Sequence, residues 1–173
     1  MLHSQYPHLL AKVFIISAGI IPLSTTESIE RLKRDRFLAN SLDHNFNDFL
    51  TQWYSQPLFD SDTFKKNKSS IISTRLSNNP LYLKQALLAF SPGAMSHYEI
   101  NGPNLVYIVG ENDHKYMTIS LELLSRYSID KIHIVKSSGH MCHMEHPSCV
   151  SSIIGSTLNP PETLRHESHH DTI

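Results

Sequence analysis

Three short runs of this chain are apolar almost without interruption. They are VFIIS (13–17), LVYIV (105–109) and KIHIV (131–135). Each is rich in β-branched residues, and such runs suit strands buried on both faces of a parallel sheet. Between the second and third lies MTISLELLSRY (117–127), whose apolar positions recur at helical spacing. After the third come Pro147 and CVSSIIGSTL (149–158), which reads as a closing helix. Strand, helix, strand, helix is the signature of a βαβ unit and of a parallel sheet. Ahead of the first run, LHSQYPHLLA (2–11) is short and mildly amphipathic.

The pattern changes between Gly19 and Gly102. Helical periodicity predicts helices near 28–40, 46–52, 64–73 and 81–90, separated by the loops QPLFDSD and SPGAMSH. A crossover between parallel strands needs only about a dozen residues, so a helical insert this long reads as a cap laid on a sheet. The expected organisation is a helix and strand over 1–19, a helical cap over 20–101 and further sheet core over 102–158. The tail, 159–173, has little apolar content and is expected to be disordered. Three strands make a small sheet for a cap to cover. The fold class is therefore α/β, read as the later part of a larger domain.

Composition narrows the function classes. The 173 residues are 40% hydrophobic and 18% charged, with a net charge of -1 and a pI near 6.9. That balance gives no electrostatic reason to expect nucleic acid or an anionic membrane as partner. No apolar run approaches the ~18 residues of a membrane span. The first residues place histidines and a proline where a secretion signal would carry a basic and then a long apolar stretch. Cys142 and Cys149 are a poor disulfide framework and suit a reducing compartment such as the cytoplasm.

In open α/β sheets, ligands gather beyond the carboxyl ends of the strands. Asp113 lies four residues past LVYIV, and His140 five past KIHIV. An acid after one strand and a histidine after the next is the order that ends an α/β-hydrolase triad. The carboxylate accepts a hydrogen bond from one imidazole nitrogen and fixes the tautomer, which leaves the other nitrogen to exchange a proton. Taken singly, each residue also fits plain turn chemistry. The third triad member sits in a G-x-S-x-G turn, and none of the glycines at 19, 93, 102, 110, 139 and 155 begins one. In this fold's order the serine precedes the acid, so the elbow and its strand are expected ahead of Met1.

SSGHMCHMEHPSC (137–149) also raises a metal site, since His140, His143, His146, Cys142 and Cys149 are ligand types for zinc. Spacing argues against it. Positions three apart drift by ~120° over six residues of helix and alternate faces on a strand. C-x₆-C is not a zinc pair either. No metal is expected, and the cysteines read as free thiols. Gly139 is expected to allow the loop's turn, and His143 and His146 to be loop-packing or helix-start residues.

One stretch, FLTQWYSQPLF (49–59), resembles the W-Y-x-Q-P-[LV]-F marker of the 2-succinyl-6-hydroxy-2,4-cyclohexadiene-1-carboxylate synthases. RLKRDRFLANSL, TRLSNNP, ALLAFSPGAM, GENDHKY and SGHMCHMEHP fit the same family, from about Leu2 to about Leu158. The resemblance implies the C-terminal two-thirds of an α/β-hydrolase fold with a helical cap. It implies a lyase of menaquinone and phylloquinone biosynthesis that eliminates pyruvate from a polycarboxylate cyclohexene by proton abstraction, without metal or organic cofactor. It implies a cytoplasmic site, or a plastid one in a photosynthetic eukaryote. Asp113 matches the triad acid, His140 the triad histidine, Arg75 a substrate-binding arginine and Trp53 a cap aromatic. Arg31 matches a second arginine, with its register against Arg34 and Arg36 open. Planar guanidinium groups suit a polyanionic substrate. The plainer readings are a solvated face for Arg31 in ERLKRDR and cap core for Trp53.

The departure from the family is the serine. Without it, the acid and base are not expected to sustain turnover alone, and VFIIS is expected to present a hydrophobic edge. A separately encoded N-terminal half, as partner to a non-catalytic chain, is one alternative. An esterase or carbon–carbon bond hydrolase of the same fold is another.

Overall fold

The computed structural model describes residues 12–95, 104–127, 129 and 131–159. The segment LHSQYPHLLA and the tail beyond 159 lie outside the described residues. The chain divides into two compact units, one of Gly19–Asn101 and one of Leu2–Ala18 with Gly102–Ile173.

The second unit holds a three-stranded parallel sheet in the order β1 (Val13–Ile16), β2 (Leu105–Gly110), β3 (Lys131–Val135). Val13 pairs with Leu105 and Val106 with Lys131, so all three strands point their carboxyl ends the same way. All six residues of β2 are buried, as expected of a central parallel strand. Of the outer strands, β1 has the edge position expected of VFIIS, whereas β3 departs from the expectation of burial on both faces. β1 is only partly buried throughout, and Ile134 on β3 is 45% exposed. Both are edge strands among the described residues, and an apolar run alone does not distinguish an edge from a centre.

Val106, Ile108 and Val135 pack with Cys142 and Val150, and with Phe14, Ile16, Ile153 and Ile154 around them. Four of these lie on or beside two further helices, Cys142–Glu145 and the closing helix Pro147–Leu158. Pro147 opens the latter at a position where its missing N–H would have no intrahelical partner. The helix after β2, His114–Arg126, begins at Asp113.

The Gly19–Asn101 unit carries four α-helices: α1 (Thr25–Ser41), α2 (Phe46–Trp53), α3 (Asp62–Arg75) and α4 (Pro80–Ala89). In chain order, His114–Arg126, Cys142–Glu145 and Pro147–Leu158 are then α5, α6 and α7. Three of these four helices begin earlier than apolar periodicity suggests, because capping residues set their starts. Ser24 and Glu27 form a reciprocal capping box. Ser61 caps α3 through Phe64 N–H, and Asn79 caps α4 just before Pro80. The loops QPLFDSD and SPGAMSH contain single 3₁₀ turns at Pro57–Phe59 and Pro92–Ala94.

The core of this unit is aromatic. Phe59 stacks on Phe64 at 5.3 Å and meets the Tyr54 ring edge-on at 5.1 Å. Gly93 is required by a close approach, since a Cβ there would sit 2.5 Å from the Ser28 carbonyl oxygen on α1.

Candidate active site

Residues at the carboxyl ends of β2 and β3 are tied together by their backbones. Glu111 N–H donates to the Val135 carbonyl at 2.9 Å, and Asn112 N–H to the Ser138 carbonyl at 2.8 Å. At Gly110 the two segments touch, and a Cβ there would lie 2.1 Å from the Gly139 carbonyl oxygen. The loop after β3 turns at Ser137, whose φ of 54° is left-handed. This corrects the expected role of Gly139, because none of the described glycines has a positive φ. Glycine at 139 is not there for left-handed backbone.

Two carboxylates hold this loop. Glu111 accepts from Ser137 N–H at 2.9 Å and from Lys136 Nζ at 2.7 Å. Glu145, at the end of α6, accepts from Gly139 N–H through both oxygens, at 3.1 and 3.2 Å. The result is a short segment, Ser137 to Gly139, fastened immediately ahead of His140.

Asp113 is the N-cap of α5, where its Oδ1 accepts from Tyr116 N–H at 3.4 Å. Its Oδ2 accepts from His140 Nδ1 at 2.8 Å. The Asp113 side chain is only 1% exposed and that of His140 20%. A nearly buried carboxylate thus holds one imidazole nitrogen and selects the tautomer protonated at Nδ1. Tyr116 stacks on the imidazole, with ring centres 4.8 Å apart and planes 27° from parallel.

Close by, burial pushes the Cys142 thiol above its ordinary range. Burial likewise raises the Tyr107 phenol, which donates to the Ala18 carbonyl at 2.8 Å. Both groups stay neutral near pH 7, so neither competes with His140 for a proton there. Cys142 and Cys149 are free thiols. Among the described residues no three His, Cys, Asp or Glu side chains converge as a metal site. His143 lies within α6, and His146 stands between α6 and α7.

The remaining predicted residues lie in the Gly19–Asn101 unit. Trp53 and Arg75 line one pocket of about 250 Å³. Its wall is mainly apolar, with Tyr54, Leu83 and Leu87 beside Trp53, and Arg75 and Asn78 bring its polar groups. Arg31 is not part of that lining. Its Nε donates to both oxygens of the buried Asp35 at 2.9 Å, one helical turn on. Arg34, its neighbour in the charge run, donates to Gln56 Oε1 at 3.1 Å.

Sequence reasoning passed over Tyr116, Glu111 and Glu145. A signal existed for Tyr116, since a capping aspartate accepts from a backbone N–H two or three residues on. Glu111 and Glu145 had no comparable signal, because each bonds a backbone group far along the chain or across a loop.

No family model matches the chain. A Bacillus subtilis (strain 168) protein, named provisionally as a 2-succinyl-6-hydroxy-2,4-cyclohexadiene-1-carboxylate synthase, is 32% identical over 140 residues, covering 76% of this chain and 51% of that protein. The synthase of the same name from Citrobacter koseri is 27% identical over 115 residues, or 64% of this chain and 43% of that one. Among solved structures, MenH from S. aureus superposes with a TM-score of 0.76 at 23% identity, over 86% of this chain and 59% of that one. The chain spans about half the length of the curated relatives it matches. On this evidence, the chain has part of an α/β-hydrolase fold and resembles the 2-succinyl-6-hydroxy-2,4-cyclohexadiene-1-carboxylate synthases over most of its own length.

Proposed function

We propose that this chain carries the acid–base part of a 2-succinyl-6-hydroxy-2,4-cyclohexadiene-1-carboxylate synthase-like lyase. The observation that supports the reading best is the 2.8 Å contact between His140 Nδ1 and the buried Asp113 carboxylate, at the carboxyl ends of adjacent parallel strands. In the reaction implied, a serine alkoxide removes a proton from the succinyl-enolpyruvyl-hydroxycyclohexene-carboxylate precursor, and pyruvate leaves as the ring gains a double bond. His140 would take the serine proton at Nε2, and Asp113 would stabilise the imidazolium that forms. The substrate is a small polycarboxylate, and Arg75 offers it a planar cation beside the apolar face of Trp53. Arg31 is a weaker candidate for this task, because its Nε already serves Asp35. No metal or organic cofactor has a part in the scheme, and cytoplasm or plastid is its setting.

The 173 residues contain no G-x-S-x-G turn, so activity would depend on a serine-bearing segment working with this chain. The test is to assay the purified chain with the precursor, alone and co-expressed with the serine-bearing first part of the B. subtilis relative. We expect turnover only in the complemented sample, lost on His140→Ala. Full turnover by the chain alone would overturn the serine requirement, and none in either sample would overturn the function.

A further inference from the structure

We infer that Tyr116 is a positioning residue for His140, closing with Asp113 a two-residue clamp around the imidazole. The inference rests on the reading of Asp113 and His140 as the acid–base pair. One helix start generates the whole arrangement. Asp113 caps α5 by accepting from the N–H of Tyr116, three residues on. That bond occupies Oδ1 and leaves Oδ2 for His140 Nδ1, at 2.8 Å. It also fixes the backbone of Tyr116 beside the carboxylate, and the side chain then reaches the imidazole face at 4.8 Å. Lys115 Nζ lies 5.1 Å from the centre of the same tyrosine ring.

The two contacts on His140 restrain different motions. The hydrogen bond to Nδ1 favours the Nδ1–H tautomer only while it stays aligned, and by itself it lets the ring swing and weaken that bond. A stacked ring opposes that swing, because rotation out of parallel loses the face-to-face contact. An imidazole held in both ways keeps Nε2 on a fixed line, which a proton transfer over hydrogen-bond distance requires. The work belongs to the ring of Tyr116, so phenylalanine should perform it and an aliphatic side chain should not.

The experiment reads the imidazole itself and needs no turnover. Long-range proton–nitrogen spectra of the ¹⁵N-labelled 173-residue chain give the tautomer ratio of His140, assigned by the signal lost in His140→Gln. In the native chain we expect the Nδ1–H tautomer, with imidazole carbon-bound protons shifted upfield by the tyrosine ring current. Tyr116→Phe should keep both features. Tyr116→Leu should abolish the upfield shift and lower the Nδ1–H to Nε2–H ratio about three- to ten-fold, the equivalent of one stacked pair. A native spectrum without the upfield shift overturns the clamp, and this measurement does not depend on any variant folding. So does a Leu variant with the native ratio, or a Phe variant that behaves like Leu. Asp113→Asn serves as the separate check on the acid–base pair. If it leaves the tautomer unchanged, that reading fails whatever Tyr116 does.

Discussion

The two compact units solve different problems with different materials. In the strand-bearing unit, every residue of β2 is buried and the groups beyond it are placed by backbone hydrogen bonds. In the helical unit, α4 buries none of its residues, and Phe37, Leu81, Tyr82 and Phe90 are each more than 60% exposed. Asp113 and His140 meet through elements that the sheet holds in register. Trp53 and Arg75 meet across a pocket whose walls are side chains on helix faces. Proton transfer tolerates little displacement, whereas holding a carboxylate against an apolar wall tolerates more. Under the proposed roles, the positions of the groups match those two demands.

That contrast breaks if the strand ends prove soft, and Gly110 is the place to test it. Alanine there puts a carbon 2.1 Å from a backbone oxygen of Gly139, and backbone cannot swing aside as a flexible side chain does. Overpacking of this kind costs ~1–3 kcal/mol, occasionally more, and we expect Gly110→Ala at the upper end, about 3 kcal/mol by urea denaturation. Gly155 is the matched control in the same unit. It sits inside α7 with nothing within 4 Å of a new Cβ. Gly155→Ala should stabilise by ~0.5–1 kcal/mol through helix propensity alone. Similar midpoints for the two variants would mean that β2 and the His140 loop are not held as closely as the backbone contacts suggest.

The softer site predicts a smaller and different response. In the complemented enzyme, Arg75→Ala should raise KM about 10- to 100-fold with kcat changed far less, the pattern of lost uniform binding. Arg75→Lys should recover only part of this, since an ammonium cannot make two parallel hydrogen bonds to a carboxylate. If kcat fell as far as kcat/KM, the pocket would take part in the transition state. The division between fixed chemistry and adaptable binding would then be wrong.

How much of this was legible in the sequence follows the same division. The three strands, their parallel order and the α/β-hydrolase fold were readable, because β-branched runs between helical periods admit few topologies. That Asp113 and His140 touch followed from strand ends and short loops, where a few residues leave little freedom. What stayed hidden depends on contacts distant in sequence. The exposure of β3 could not be read from KIHIV. The close approach of Gly110, at the end of β2, to Gly139 joins segments distant in sequence. Ser137, rather than a glycine, takes the left-handed turn, and its N–H donates there to Glu111. Arg31 lies between these cases, since Asp35 four residues on is a helical ion pair visible in RLKRD.

The fastening at Ser137 gives the smallest expected effect and the finest test of the strand-end picture. The hydrogen bond from Lys136, followed by that from Ser137 N–H, holds the Glu111 carboxyl below its ordinary value of 4.5. A carboxyl depressed in the folded state stabilises above its unfolded value, and that contribution is lost as pH falls through the folded value. Glu111→Gln should therefore be less stable than the native chain at neutral pH, and the gap should close progressively below pH 4.5. The pair is exposed, so the gap should be small and should shrink further in ~1 M salt, where the screening length falls to ~3 Å. The informative readout is the urea midpoint of both proteins across that acid range, with the His140 imidazole spectrum followed at neutral pH. A pH-independent gap would mean that the carboxylate charge does not fasten the loop. A gap that closes while the His140 tautomer stays native in Glu111→Gln would assign the loop's shape to Glu111 and the imidazole's to Asp113 and Tyr116.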